Sequence, residues 1–542
     1  MRALVAVGLV FAAITLWAVT FSSPTPLLAP SATSPPVRRT VAEKRAHAVA
    51  FLEAQLAANP TVPGVALSIV YEHETVLVQG FGTTHFGQSD TPVTAHTLFQ
   101  IGSYTKTLVA LGIAKLVDDG FVAWSDPVKY HLPSFQLQDK YAERYTTLGD
   151  LLAMNSVLDG GDLAWVLGVA PSEAALVQRL AEYNTTRPLR SGYLYANLNF
   201  EILGQVIEAV ANHSHWFDYL RAAILTPLNM TETYGRPADA PTSALAAGHL
   251  TCGSHVLGPY SLVESIHVML SPRNDYLAAG SIVSSAADLA KLSHFLLSNG
   301  HPVFQSTETL DAMTTGHVVL GDFVVAPLDA ASRFGYSYSR DGNVVASGYG
   351  FDVVGDILFG FDYFSKSGDT RAFKQRNGFV PSRGLGVSLV TNYQPSDVTT
   401  SFFLDRIRSY VMGVFLDVPQ DALDAMLLAG GTDPGTECDA HYFGHASWDQ
   451  GLVVPAAVQT LLVGTYAFTE SPAFYGPVHI FVTKTTLMLH SGEYTFPLYP
   501  VSPTSFVWGF ENGVMTFTLD IVVRRRDNTT TITFLGMEMM RT

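Results

Sequence analysis

Three short motifs, each present once and in a fixed order, constrain this chain more than anything else in it. They are Ser103-Tyr104-Thr105-Lys106, Tyr195-Ala196-Asn197 and Lys366-Ser367-Gly368. A lone Ser-x-x-Lys is expected by chance roughly once in a chain of this length. No second copy of any of the three occurs, so the ordered set is the signal. Together they supply a hydroxyl with an amine one helical turn away, a phenol beside an amide, and a cation at a strand end. Those are the parts of a serine acyl-transfer site in which lysine and tyrosine stand where other hydrolases use histidine.

The apolar positions Leu108, Leu111 and Leu116 mark a helix that opens at Ser103 and stops at Gly120. Three residues apart is one helix face, so the Lys106 amine reaches the Ser103 hydroxyl. The helix N-terminus favours negative charge, which suits an oxyanion forming there. An ordinary lysine is protonated at neutral pH and becomes a base only through burial and a cationic neighbour; Lys366 is the candidate neighbour. Tyr195 precedes a second amphipathic helix carrying Phe200, Leu203, Ile207 and Val210. As a base, its phenol needs both ammonium groups close by. Asn197 offers a donor and an acceptor to orient Lys106 and a substrate carbonyl. Gly368 leaves room for a substrate backbone along the strand edge, with Ser367 beside it. The N–H groups of Ser103 and Asp369 are the expected oxyanion donors. The set lacks a Gly-x-Ser-x-Gly elbow, a His-Glu-x-x-His and a phosphate-binding glycine loop. Cys438, His441 and His445 have metal-like spacing but no fourth ligand, so neither a metal nor another cofactor is called for.

At 542 residues the chain is long enough for two domains. Its net charge of −16, with no basic block, argues against nucleic acid as a partner. Residues 1–37 read as a secretory signal peptide or signal-anchor followed by a Ser/Pro-rich linker. The apolar run 3–21 is long enough to serve as a membrane anchor, and the two readings stay open. Either makes the protein secreted or membrane-anchored and extracellular. Asn184, Asn212, Asn229 and Asn528 head glycosylation sequons, and Cys252 and Cys438 either pair or stay unpaired.

A helix over 39–59 and a hairpin of 65–71 with 75–80 come first, and a largely helical middle follows. Strands over 356–365, 372–379 and 386–391 and a closing helix over 401–415 complete residues 38–420. This α+β pattern builds an antiparallel sheet from both chain ends, flanked by helices, with a helical subdomain and a cleft between them. Residues 421–455, with Gly430-Gly431-Thr432-Asp433-Pro434-Gly435, read as a linker. Residues 456–542 carry seven or so short β runs and no helix, which predicts a small antiparallel barrel or sandwich.

With Tyr-x-Asn as its second motif, the chain resembles the class C beta-lactamase, DD-peptidase and D-aminopeptidase-like family of serine hydrolases. The likeness extends through 99–106, 195–204, 227–233, 279–292 and 384–392, and so spans roughly residues 40 to 416. It implies Ser103 as the acylated nucleophile, Lys106 and Tyr195 in proton transfer, and Asn197 and Lys366 in substrate positioning. Which of Lys106 and Tyr195 is the base stays open. The C-terminal β region is similar to the lipocalin-like domain of some D-aminopeptidase-type relatives. Implied substrates are small esters, amides or peptides, D-amino-acid peptides among them. A DD-carboxypeptidase, a beta-lactamase proper and a non-catalytic binding protein are the alternatives. Two departures stand out. Asp369 sets a carboxylate where small or polar residues are more usual, and pointed inward it would oppose an oxyanion and anionic substrates. Met154-Asn155-Ser156-Val157 replaces the usual Ser-Gly turn.

Overall fold

The computed structural model describes residues 38–252, 254–266, 268–320, 334–336, 344–395, 403–429, 454–502, 505–509, 516–524, 529–534 and 537–542. The leader, Cys438 with the candidate disulfide, Asn528, His441 and His445 fall outside them. Among the described residues, no helix is long and apolar enough to cross a membrane.

Helix α1 (Val41–Ala58) starts at a Thr40–Glu43 capping box. The hairpin β1 (Gly64–Tyr71) and β2 (Glu74–Gly82) follows. Helix α2 (Thr105–Asp118) is preceded by a tight turn over Gly102–Tyr104. Helix α3 (Leu198–Ala211) ends at Asn212 in the left-handed conformation, and α4 (Ala286–Leu297) is capped by Ser285. Strands β3 (Val353–Leu358), β4 (Phe361–Ser365), β5 (Gly368–Asp369), β6 (Lys374–Val380) and β7 (Leu385–Thr391) lead to helix α5 (Phe403–Phe415).

These strands form one sheet in the order β2-β1-β7-β6-β4-β3, with β5 paired to β6. The pairings β1–β7, β6–β7 and β3–β4 are antiparallel. A strand from the start of residues 38–420 therefore pairs with one from near their end, β1 beside β7. Alternation along the strands divides the core: Val65, Leu67 and Ile69 pack toward α1 and α5, while Ala66 and Val70 join the larger core around α2. The expected stripe of α5, Phe403, Ile407, Tyr410 and Val414, is buried.

Two expectations are corrected. The run 356–365 is not one strand but the end of β3, a turn at Phe359-Gly360, both with positive φ, and all of β4. The stretch from 421, expected to be linker, begins as a helix over Gln420–Ala429 that buries Leu423 and Met426 against α5.

Among the described residues, the C-terminal region has eight strands in sequential order that close into a barrel, first paired with last. The last two strands are Thr529–Phe534 and Met537–Arg541. The region also carries a helix over Ala456–Leu462 and a short one over Pro472–Tyr475, where none was expected. The latter docks on the helical subdomain. Phe474 and Tyr183 rings meet edge to face at 4.8 Å, Arg179 donates to Ala473 O (2.7 Å), and Asn184 N–H donates to Ser471 Oγ (2.8 Å).

Candidate active site

All three motifs converge on Ser103. Its Oγ accepts from the Tyr195 phenol at 2.7 Å and lies 3.1 Å from Lys106 Nζ. The hydroxyl makes no N-cap bond; the start of α2 has none. Helix α2 is apolar on nearly every side and is the buried axis of the helical layer, so Lys106 at its first turn has no exposure at all. The amine's other partner is the carbonyl of Ala279 (2.6 Å). Burial, then the ammonium of Lys366, pushes the Lys106 amine well below the ordinary lysine range. Both lysines sit over the face of Tyr195, at 5.0 and 4.7 Å from the ring centre. Burial, then the carboxylate of Asp352, pushes the Tyr195 phenol up, so it stands as a protonated donor.

Lys366 directly follows β4, is 1 % exposed, and is held by both oxygens of Asp352 at 2.7 Å. Burial lowers its pKa, and Asp352 acts against that. Ser367, half-buried, leads to β5.

Gly368 has a packing role. A Cβ there would come within 1.9 Å of Ile101 O, and one on Gly102 within 2.7 Å of Asp369 O. The two glycines let β5 lie against the turn that carries Ser103, and Gly102 itself has φ +54°. Because Thr370 N–H bonds to Phe373 O (2.9 Å), the adjacent pair Asp369–Lys374 is a non-hydrogen-bonded one. The Asp369 N–H therefore points away from β6, toward the Ser103 turn.

The Asp369 carboxylate is not aimed at the cleft. It lies on the face of the sheet shared with Lys374 (3.2 Å) and Arg376 (2.6 Å). Burial opposes its ionisation, yet Arg376 and Lys374 hold its pKa at about 2. Its charge is thus met by these two cations, while it still acts on Lys366 and Tyr195. Asn197 is also placed differently: its Nδ2 donates to Asp162 Oδ2 (2.7 Å) rather than serving Lys106. A carboxylate only accepts, so Asp162 fixes the amide with its carbonyl oxygen turned the other way. In the altered turn, Met154 takes φ +59° and the Ser156 hydroxyl donates to Asn199 Oδ1 (2.7 Å).

Four contributors were missed. Glu173 and Glu201 form a buried acid pair accepting from Ala278 N–H (3.0 and 3.1 Å), and Glu201 also accepts from Ala279 N–H (3.3 Å). They hold the loop whose carbonyl receives Lys106; burial raises both pKa values. Asp162 and Asp352 are the other two. Only Asp352 left a readable trace, since a hairpin turned at Phe359-Gly360 sets it opposite Lys366.

The Beta-lactamase family model matches residues 49–408, and the chain belongs to that family. Penicillin-binding protein 4 of Amycolatopsis lactamdurans is 28% identical over 349 residues, 64% of this chain and 84% of that protein. Among solved structures, the octameric penicillin-binding protein homologue from Pyrococcus abyssi has a TM-score of 0.54 at 19% identity. The alignment covers 92% of this chain and 100% of that one. D-amino acid amidase from Ochrobactrum anthropi SV3 also reaches 0.54, at 20% identity, over 70% of this chain and 99% of its own. The protein is therefore a beta-lactamase-related serine hydrolase with the mixed α+β fold of that group.

Proposed function

We propose that this hydrolase works through an acyl-enzyme at Ser103 on small esters or amides, with D-amino-acid amides and peptides among its candidates. The observation that carries the reading is the Ser103 hydroxyl held between the Tyr195 phenol and the Lys106 amine. Environment drives the two titratable partners apart, the amine toward neutral and the phenol toward protonated. That split gives the roles. Lys106 takes the Ser103 proton as Oγ bonds to the substrate carbonyl carbon. The carbonyl oxygen takes the negative charge against the N–H groups of Ser103 and Asp369. Tyr195 passes its proton to the leaving oxygen or nitrogen as that bond to carbon breaks, and Lys106 restores the phenol. Water then repeats the sequence on the ester and frees the acid.

We read the barrel as lipocalin-like, on the support of its eight strands in sequential, closed order. We read the apolar leader as directing the protein out of the cytoplasm.

The test is intact-protein mass after a fluorophosphonate and, separately, a penicillin, with Ser103→Ala alongside. A stoichiometric adduct that the variant lacks is expected. No adduct with either reagent on folded protein sinks the reading and leaves a binding protein.

A further inference from the structure

Asp352 precedes β3 by one residue and Lys366 follows β4 by one. The register Val353–Ser365, with Asp352 N–H bonded to Ser365 O (3.1 Å), carries them to the same end of the hairpin. There the lysine side chain is 2 % exposed and the aspartate side chain 28 %, so the carboxylate is the wetter member of the pair. The Tyr193 phenol, kept neutral by burial and by that carboxylate, stands beside it.

The other charges around Ser103 are engaged as well. Lys374 and Arg376 bind Asp369, and Arg376 also binds Asp405 (2.7 Å). Lys106 is pushed toward the neutral amine. Asp162 stands behind Asn197. A substrate carboxylate approaching Lys366 meets the charge of Asp352 and finds that ammonium already held by both of its oxygens. Such a group would lose its hydration and gain no partner at Lys366.

We propose that Asp352 sets the charge preference of the site: by occupying Lys366 with both oxygens, it makes this wall accept uncharged or amine-bearing acyl groups and refuse carboxylate-bearing ones. The inference rests on the reading of Ser103 as the acylated group and specifies its substrates. It also moves the source of discrimination from Asp369, where the sequence suggested it, to Asp352.

The experiment uses three p-nitrophenyl esters of one chain length, hexanoate, aminohexanoate and hydrogen adipate, which differ only in a neutral, cationic or anionic end. Single-turnover acylation of the full-length protein is followed by p-nitrophenolate release, and the adduct is located by mass. The neutral and cationic esters are expected to react at least about tenfold faster than the anionic one. Asp352→Asn is expected to close that gap by about tenfold. It also removes a charge that raises the pKa of both Lys106 and Tyr195, so the acid limb of the rate moves to lower pH. A purely structural aspartate would change neither the ratio nor the limb. Equal rates for the three esters in the wild type overturn the inference without any variant. A gap that survives Asp352→Asn unchanged overturns it too. If none of the esters labels Ser103, the acyl-enzyme reading itself fails, an outcome distinct from labelling without charge preference.

Discussion

Two buried charged regions flank Ser103 and treat lysine in opposite ways. On the helix side, the partners of Lys106 are a hydroxyl and a carbonyl, and no carboxylate among the described residues lies within ion-pair distance. On the sheet side, Lys366 and Lys374 each hold a carboxylate, at 2.7 and 3.2 Å, and Arg376 holds two. All three lysines are almost wholly buried. Partner chemistry, not burial, separates them. A buried amine facing neutral oxygens sheds its proton readily, which suits a base; one facing a carboxylate keeps its charge and organises its surroundings.

Removing the helix-side amine should give the largest effect. Lys106→Met keeps the volume and deletes the proposed base, and acylation should fall by roughly a thousandfold. The fold and the thermal midpoint should hold, because no ion pair is broken. A variant that still labels at near wild-type rate would transfer the base role to Tyr195 and dissolve the contrast.

On the sheet side the same kind of deletion should cost stability first. Asp369→Asn leaves Lys374 and Arg376 short of a counter-charge, and a broken buried pair costs about 3 kcal/mol. The pH dependence identifies the cause. A carboxylate held at about 2 in the fold adds stability that is complete above its unfolded value and is lost as pH falls toward 2. Urea unfolding at neutral and acid pH should give a wild-type loss about 2 kcal/mol larger than that of the variant. Parallel losses in the two proteins would mean that Asp369 is not the strut described.

The difference between the two regions also marks what could be read from the chain. Ser103, Lys106, Tyr195 and Lys366 were legible because their spacing is local chemistry: one helical turn, one pre-helical loop, one strand end. The β1–β2 hairpin and α5 were legible because their apolar periods are clean. Reading failed where a partner is chosen by register or by tertiary contact. The bend at Phe359-Gly360 lies in an apolar run that resembles a single strand, and with the hairpin went Asp352. Asp369 was placed by its neighbours in sequence, whereas strand pairing gives it Lys374 and Arg376. Gly368 has a packing role that is visible only once Ile101 lies against it. Glu173 and Glu201 look like ordinary helix-surface acids until the fold encloses them.

The subtlest prediction couples the two regions. Lys366 lies between them: its ammonium lowers the pKa of Lys106, while Asp352 raises it. Lys366→Met removes the cation and leaves the carboxylate, so both changes drive the Lys106 pKa upward. Acylation by a neutral ester requires the free amine, and its acid limb should therefore move to higher pH. Asp352→Asn should move the same limb the other way. Opposite displacements of one limb by two substitutions on one ion pair identify the titrating group as Lys106, because a general loosening of the cleft would move both in the same sense. A limb that stays put in both variants would mean that Lys106 is not the group titrating, and the sheet-side charges would then have no part in tuning the base.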